Sequence, residues 1–70
     1  MNCVYLVRNC CNVEPKIYGI HKTKEGAEQH FLNRCFLIYE WSKGMTYEEI
    51  QKHPDFKFLQ HKIEIYILLD

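Results

Sequence analysis

The sequence predicts a single α+β domain spanning residues 1–70: a three-stranded antiparallel sheet of order 2-1-3, with one long and one short helix on one face. Three observations lead there. Seventy residues fold into one small domain that buries about 60% of its unfolded surface, which excludes large enzyme folds. A composition of 47% hydrophobic and 14% aromatic residues, with three Gly and two Pro, excludes disorder. Apolar patterning along the chain then reads strand, strand, long helix, short helix, strand.

Residues 3 to 9, Cys-Val-Tyr-Leu-Val-Arg-Asn, are rich in β-branched and aromatic side chains and read as the first strand. Asn12-Val13-Glu14-Pro15 is a turn, and residues 16 to 22 form the second strand of an antiparallel hairpin. Thr23 caps a helix expected over Lys24 to Lys43, with Glu25 and Glu28 near the positive end of its dipole and Gly44 closing it. Thr46-Tyr47-Glu48-Glu49 is a capping box that starts a short helix ending before Pro54, and a loose turn follows over Asp55 to Leu59. Residues 61 to 69 close the chain as a strand. The economical sheet order places strand one, the most apolar, in the middle with all pairs antiparallel, and the crossover from strand two to the last strand is expected to be right-handed.

Two surfaces exceed what one small core needs. On the long helix, Trp41, Ala27, Ile38, Phe31, Cys35, Tyr39, Leu32 and Phe36 cover about 220° of arc, with Leu37 outside it, whereas packing on a sheet needs little more than 100°. Either the short helix and the Phe56/Phe58 segment fold over the surplus, or Trp41, Phe36 or Leu37 meet a partner. On the sheet, if Val4, Leu6, Ile17, Ile63, Ile65 and Ile67 face the helix, then Tyr5, Val7, Tyr18, Ile20, Tyr66 and Leu68 lie on the other face. Gly19 is a possible bulge that leaves the phase of strand two open. An uncovered apolar face marks an interaction site, and the last strand is a long, apolar sheet edge. These features point to a protein partner and to a homodimer. Tyr5, Tyr18, Phe36, Trp41 and Tyr66 are the expected anchors, because aromatic side chains dominate interface energetics.

Charge and chemistry narrow the function classes. Nine basic residues balance nine acidic ones, and no basic run is present, which argues against duplex nucleic acid as the partner. Cys3, Cys10, Cys11 and Cys35 read as free thiols of an intracellular chain, since no leader-like or membrane-spanning run is visible. No cofactor is implied. The Cys and His residues lack the paired spacing of a metal site. Cys10 or Cys11 could pair with His21 or His30 as thiolate and imidazole, but no local signature supports this, and no phosphate-cradling glycine loop exists. The expectation is a protein without catalytic activity. A different reading is a dimeric nucleotide- or oligonucleotide-sequestering protein, with tyrosines stacking a base and Arg8, Lys22 or Arg34 meeting phosphate. A third is a small structural subunit of a larger particle.

The run Ile17-Tyr18-Gly19-Ile20-His21-Lys22-Thr23-Lys24-Glu25-Gly26-Ala27-Glu28, framed by Val4-Tyr5-Leu6-Val7 and Glu64-Ile65-Tyr66, resembles small uncharacterised open reading frames of phages and large DNA viruses. In those, a hairpin leads through a Thr-Lys-Glu-x-Ala-Glu helix start to a final strand. The resemblance implies a compact accessory protein that acts by binding, and it carries over no catalytic residues. With the surfaces above, the expectation is a virus- or phage-encoded protein of the host cytoplasm that docks on a host or viral protein, for example to inhibit a defence system. The long aromatic helix and the Cys10-Cys11 pair depart from that pattern.

Overall fold

The structure is a computed structural model that describes residues 2–11 and 13–68. Strand β1 (Asn2–Asn9) pairs antiparallel with β2 (Ile17–His21) on one side and with β3 (His61–Leu68) on the other, in the order β2-β1-β3. Helix α1 (Lys24–Ile38) lies across all three strands. A 3₁₀ turn (Glu40–Ser42), helix α2 (Tyr47–Lys52) and a second 3₁₀ turn (Pro54–Phe58) complete the same layer. The expected fold class, strand order and antiparallel pairing are all present. Asn12, in the expected hairpin turn, and Leu69, at the end of the expected last strand, lie outside the described residues.

Local chemistry explains most element boundaries. Thr23 sits in extended geometry (φ −120°, ψ 149°), and its hydroxyl accepts the Gly26 N–H at 3.1 Å, capping α1. Thr46 and Glu49 form the reciprocal capping box that opens α2, with bonds of 3.2 and 2.9 Å. Pro54 enters the following turn at its first position, where its missing N–H costs nothing.

The long helix is shorter than expected, ending at Ile38 rather than Lys43. Tyr39 leaves helical geometry (φ −115°, ψ 108°) while its N–H still reaches the Cys35 carbonyl at 2.7 Å. The buried Ser42 hydroxyl donates to the Tyr39 carbonyl at 2.7 Å, and the Gln60 N–H donates to the Tyr39 hydroxyl at 2.9 Å. These bonds hold the chain in a turn that the helix would have to break. Gly44 does adopt a left-handed φ of 79°, but it closes this turn rather than the helix.

The core is set toward one end of the sheet. Phe31 and Cys35 of α1, Ile50 of α2 and Leu59 form its buried centre, with Phe36, Trp41, Tyr47, Phe56 and Ile63 packed around them. Phe31 meets Tyr47 edge-on at 5.2 Å. The buried stripe of α1, Ala27, Phe31 and Cys35, repeats every four residues and is much narrower than the apolar arc of the sequence. The second half of the chain does cover Leu32 and Phe36. Leu37 remains 87% exposed, and Ile38 and Phe58 are also open to solvent.

Candidate interaction surface

The strand register decides which face each sheet residue occupies, because residues directly opposite one another share a face. Val7 opposes Ile63 and Gly19, Tyr5 opposes Ile65 and His21, and Cys3 opposes Ile67. Val7 is fully buried, and Ile63 packs on the core, so this set faces the helices. The other set, Val4, Leu6, Arg8, Ile20, Glu64, Tyr66 and Leu68, forms the open face. This corrects the expected phase of β1: Val4 and Leu6 turn away from the helix, while Tyr5 and Val7 face it. Ile63, Ile65 and Ile67 do face the helix side as expected.

In β2 the register slips between Val7 and Arg8, which pair with Gly19 and Ile17, leaving Tyr18 as the extra residue. Tyr18 therefore sits on the helix side, beneath the Arg34 guanidinium at 3.5 Å from its ring centroid. Ile17, expected toward the helix, shares the open face with Arg8 and is 56% exposed. Gly19 is required here for space. A Cβ on it would lie 2.6 Å from His30 Cε1 and 2.7 Å from Nδ1. The freed volume admits a pair of imidazoles, His21 Nε2 and His30 Nδ1, 2.8 Å apart.

The expected anchors are thus spread over three environments. Tyr66, on the open face, is 46% exposed, and its hydroxyl donates to Glu64 Oε2 at 2.7 Å. That bond raises the Tyr66 pKa and, with Lys62, holds the Glu64 carboxyl low. Tyr5 and Tyr18 are half-buried on the helix side, and Phe36 and Trp41 are half-buried against the core. Trp41 lies off the helix, stacked flat on His53 at 3.9 Å and 8°. Within the sheet, the most exposed large apolar residues are aliphatic: Ile20 at 63% on the open face, and Ile65 at 62% and Ile67 at 57% on the overhanging end of the helix side. Their sequence signal was the run Ile65-Tyr66-Ile67-Leu68, apolar at both parities.

The cationic candidates do not converge. Arg8 is on the open face, tied to Glu64 at 3.1 Å, with its side chain 14% exposed. Lys22 follows the far end of β2, beside Asn2, Cys3 and Leu68. Arg34 is on α1 against Tyr18, on the other side of the sheet from Arg8.

The thiols and imidazoles also separate. Cys10 and Cys11 are exposed in the hairpin loop, whereas His21 and His30 bond to each other at the opposite end of β2. The Glu14 N–H donates to Cys11 Sγ at 3.5 Å, and this bond, with one from Val13, lowers the Cys11 pKa. The thiol–imidazole contact that does form is buried: Cys35 Sγ lies 3.4 Å from His61 Nε2, which is also 3.3 Å from the Phe31 carbonyl. Burial pushes the Cys35 thiol up to about 11, so it is protonated at neutral pH, and both residues are closed to solvent. Among the described residues no group of three or more His, Cys, Asp or Glu could hold a metal ion, and no helix is long and apolar enough to cross a membrane.

Comparison with protein-family models, with curated proteins and with solved structures finds no match. The surface itself is therefore the guide to function. Its open face has a polar end, where Arg8, Lys62 and Glu64 meet through ion pairs of 3.1 and 3.0 Å, and an apolar remainder of Val4, Leu6, Ile17, Ile20, Tyr66 and Leu68.

Proposed function

We propose that this chain is a non-enzymatic interaction protein that docks a protein partner on the open sheet face and the adjoining edge of β3. The observation that carries the reading is the set of exposed large side chains Ile17, Ile20, Tyr66 and Leu68 on the open face, continued around the β3 edge by Ile65 and Ile67 on its other side, each 46% exposed or more. Apolar surface gathered in one place is the mark of a binding site, whereas single exposed apolar residues are ordinary. The polar end formed by Arg8, Lys62 and Glu64 would set orientation at the rim, and the apolar remainder would supply affinity. A compact virus- or phage-encoded accessory protein acting on a host protein, the class to which the resemblance points, fits this mode of action.

The test places a photo-reactive phenylalanine analogue at Ile20, at Leu68 or at Lys52 on α2, in the cells that make the protein. A discrete adduct to a protein from Ile20 and Leu68, absent from Lys52, is the expected result. Equal labelling at all three sites, or none at the sheet positions, would refute the assignment.

A further inference from the structure

We infer that the occupant of the β3 edge is a second copy of this chain, joined antiparallel about a two-fold axis at Ile65 to make a six-stranded sheet. This deepens the docking reading above and rests on it. The first reason is where the exposure lies. Ile65 and Ile67 are open on the helix side of β3, while Tyr66 and Leu68 are open on the other side, all four at 46% or more. A body packed on one face of the sheet would cover two of the four. A strand added alongside supplies neighbours to both faces at once.

The edge itself is unprotected. β3 is eight residues long, contains no proline, and pairs with β1 without a register shift. The opposite edge, β2, has five residues and a bulge at Tyr18, two devices that discourage strand addition. Among the described strands none pairs with the outer side of β3.

The sequence of β3 then selects itself as the partner. With Ile65 opposite Ile65 of the second copy, Ile63 meets Ile67 and Glu64 meets Tyr66, the same carboxylate–phenol pairing that already forms within the chain at 2.7 Å. Lys62 falls opposite Leu68, along which its aliphatic stem can lie with the ammonium in water. No like charges oppose. Centring the axis on Glu64 instead would set two carboxylates against each other, a destabilising arrangement. The formal net charge of zero removes any general repulsion between copies.

The chain exposes 5238 Å² in all, somewhat more than a compact monomer of its mass, which exposes about 4,700 Å².

Sedimentation velocity on the full chain tests the inference, with the variants Ile65→Lys and Ile65→Glu. Ile65 is 62% exposed, so the variants keep the fold. The wild type should sediment at twice the chain mass. Each variant alone should dissociate at least about 10-fold more readily, through lost burial and like charges at the axis. An equimolar mixture of the two should dimerise again, because residue 65 opposes only residue 65. A monomeric wild type, variants that stay dimeric, or a mixture that stays monomeric would each overturn the inference. A monomeric wild type that still gives the Ile20 and Leu68 photo-adducts would leave the docking reading standing with a different partner.

Discussion

Ile50 is where the second half of the chain is fastened to the first. It is fully buried, and it belongs to a cluster with Phe31 and Cys35 of α1 and with Leu59. Replacing it with Ala removes three carbons from a site with no solvent access. Buried Ile→Ala changes cost about 2–5 kcal/mol, the spread reflecting how far the site collapses. α2 has only six residues, so it can settle inward, and about 2–3 kcal/mol is the expected loss. A domain of this size has a total stability of roughly 4–10 kcal/mol, so the change removes a large share of it. Trp41 is the sole tryptophan and packs on this core, so urea unfolding followed by its fluorescence, at one fixed protein concentration, reads the effect directly. The control is Leu37→Ala, at a position 87% exposed, where the change should stay within about 0.5 kcal/mol. If Ile50→Ala costs no more than Leu37→Ala, the second half of the chain does not close the core as described, and the α1 surface it covers is free.

Acid should destabilise the fold. Burial holds His61 and His30 below the ordinary value of 6.5, so the unfolded chain binds protons more readily; stability is full above about pH 6.5 and falls as pH drops below it. The urea midpoint should therefore decrease between about pH 7.5 and pH 5.5, and a flat profile would contradict the buried placement of His61 and the half-buried one of His30. Trp41→Ala and Tyr66→Ala should differ: in protein dilute enough to be monomeric, the first lowers the melting temperature, by loss of the His53 stack and core packing, and the second leaves it almost unchanged, while at higher concentration the second weakens assembly by about 1–3 kcal/mol. Equal effects of both on the melt would place them in one environment, against the structure. Gly19→Ala should cost about 1–3 kcal/mol by forcing His30 aside, and chemical denaturation that shows no loss would mean the helix stands further from the sheet. Iodoacetamide at neutral pH should label Cys11 well before Cys35, as mass mapping would show, because one thiol is exposed with a lowered pKa and the other is buried with a raised one.

The parts of the fold legible in the sequence are those whose cause is local. Thr23, the Thr46/Glu49 box and Pro54 act within one turn of themselves, and each element starts where they place it. Strand order followed from the strand directions and from placing the most apolar strand in the middle. The phase of β1 was not legible, because Val4-Tyr5-Leu6-Val7 is apolar at both parities and contains no alternation to read. What fixes it is the pairing of Val7 with Ile63 across the sheet, which carries Val7 under the helix. The end of α1 was hidden for a similar reason. Gly44 is a stop signal visible in the sequence, but the turn six residues earlier is held by Ser42 within the loop and by Gln60 from a distant segment. The candidate surface suffered most from this non-local control. Once β1 inverts, Tyr5 and Tyr18 pass to the helix side, and the expected platform of three tyrosines reduces to Tyr66 among aliphatic neighbours.

That reduction bears on what the surface can recognise. A row of tyrosines on an open sheet would have offered stacking planes for bases, and the cations to accompany them would have been Arg8, Lys22 and Arg34. The structure sends the tyrosines to two faces, ties Arg8 to Glu64 at 3.1 Å and lays Arg34 on Tyr18 at 3.5 Å. What is left in the open is Ile17, Ile20, Ile65, Ile67 and Leu68 around a single phenol, and aliphatic side chains gain by excluding water and little from any planar ligand. Such a surface suits another folded protein surface or another strand. Because the core gathers toward one end of the sheet, the overhanging ends of β1 and β3 have no layer of their own above them. The same seventy residues that complete one core leave a second, half-built one, and a partner strand beside β3 is the smallest addition that completes it.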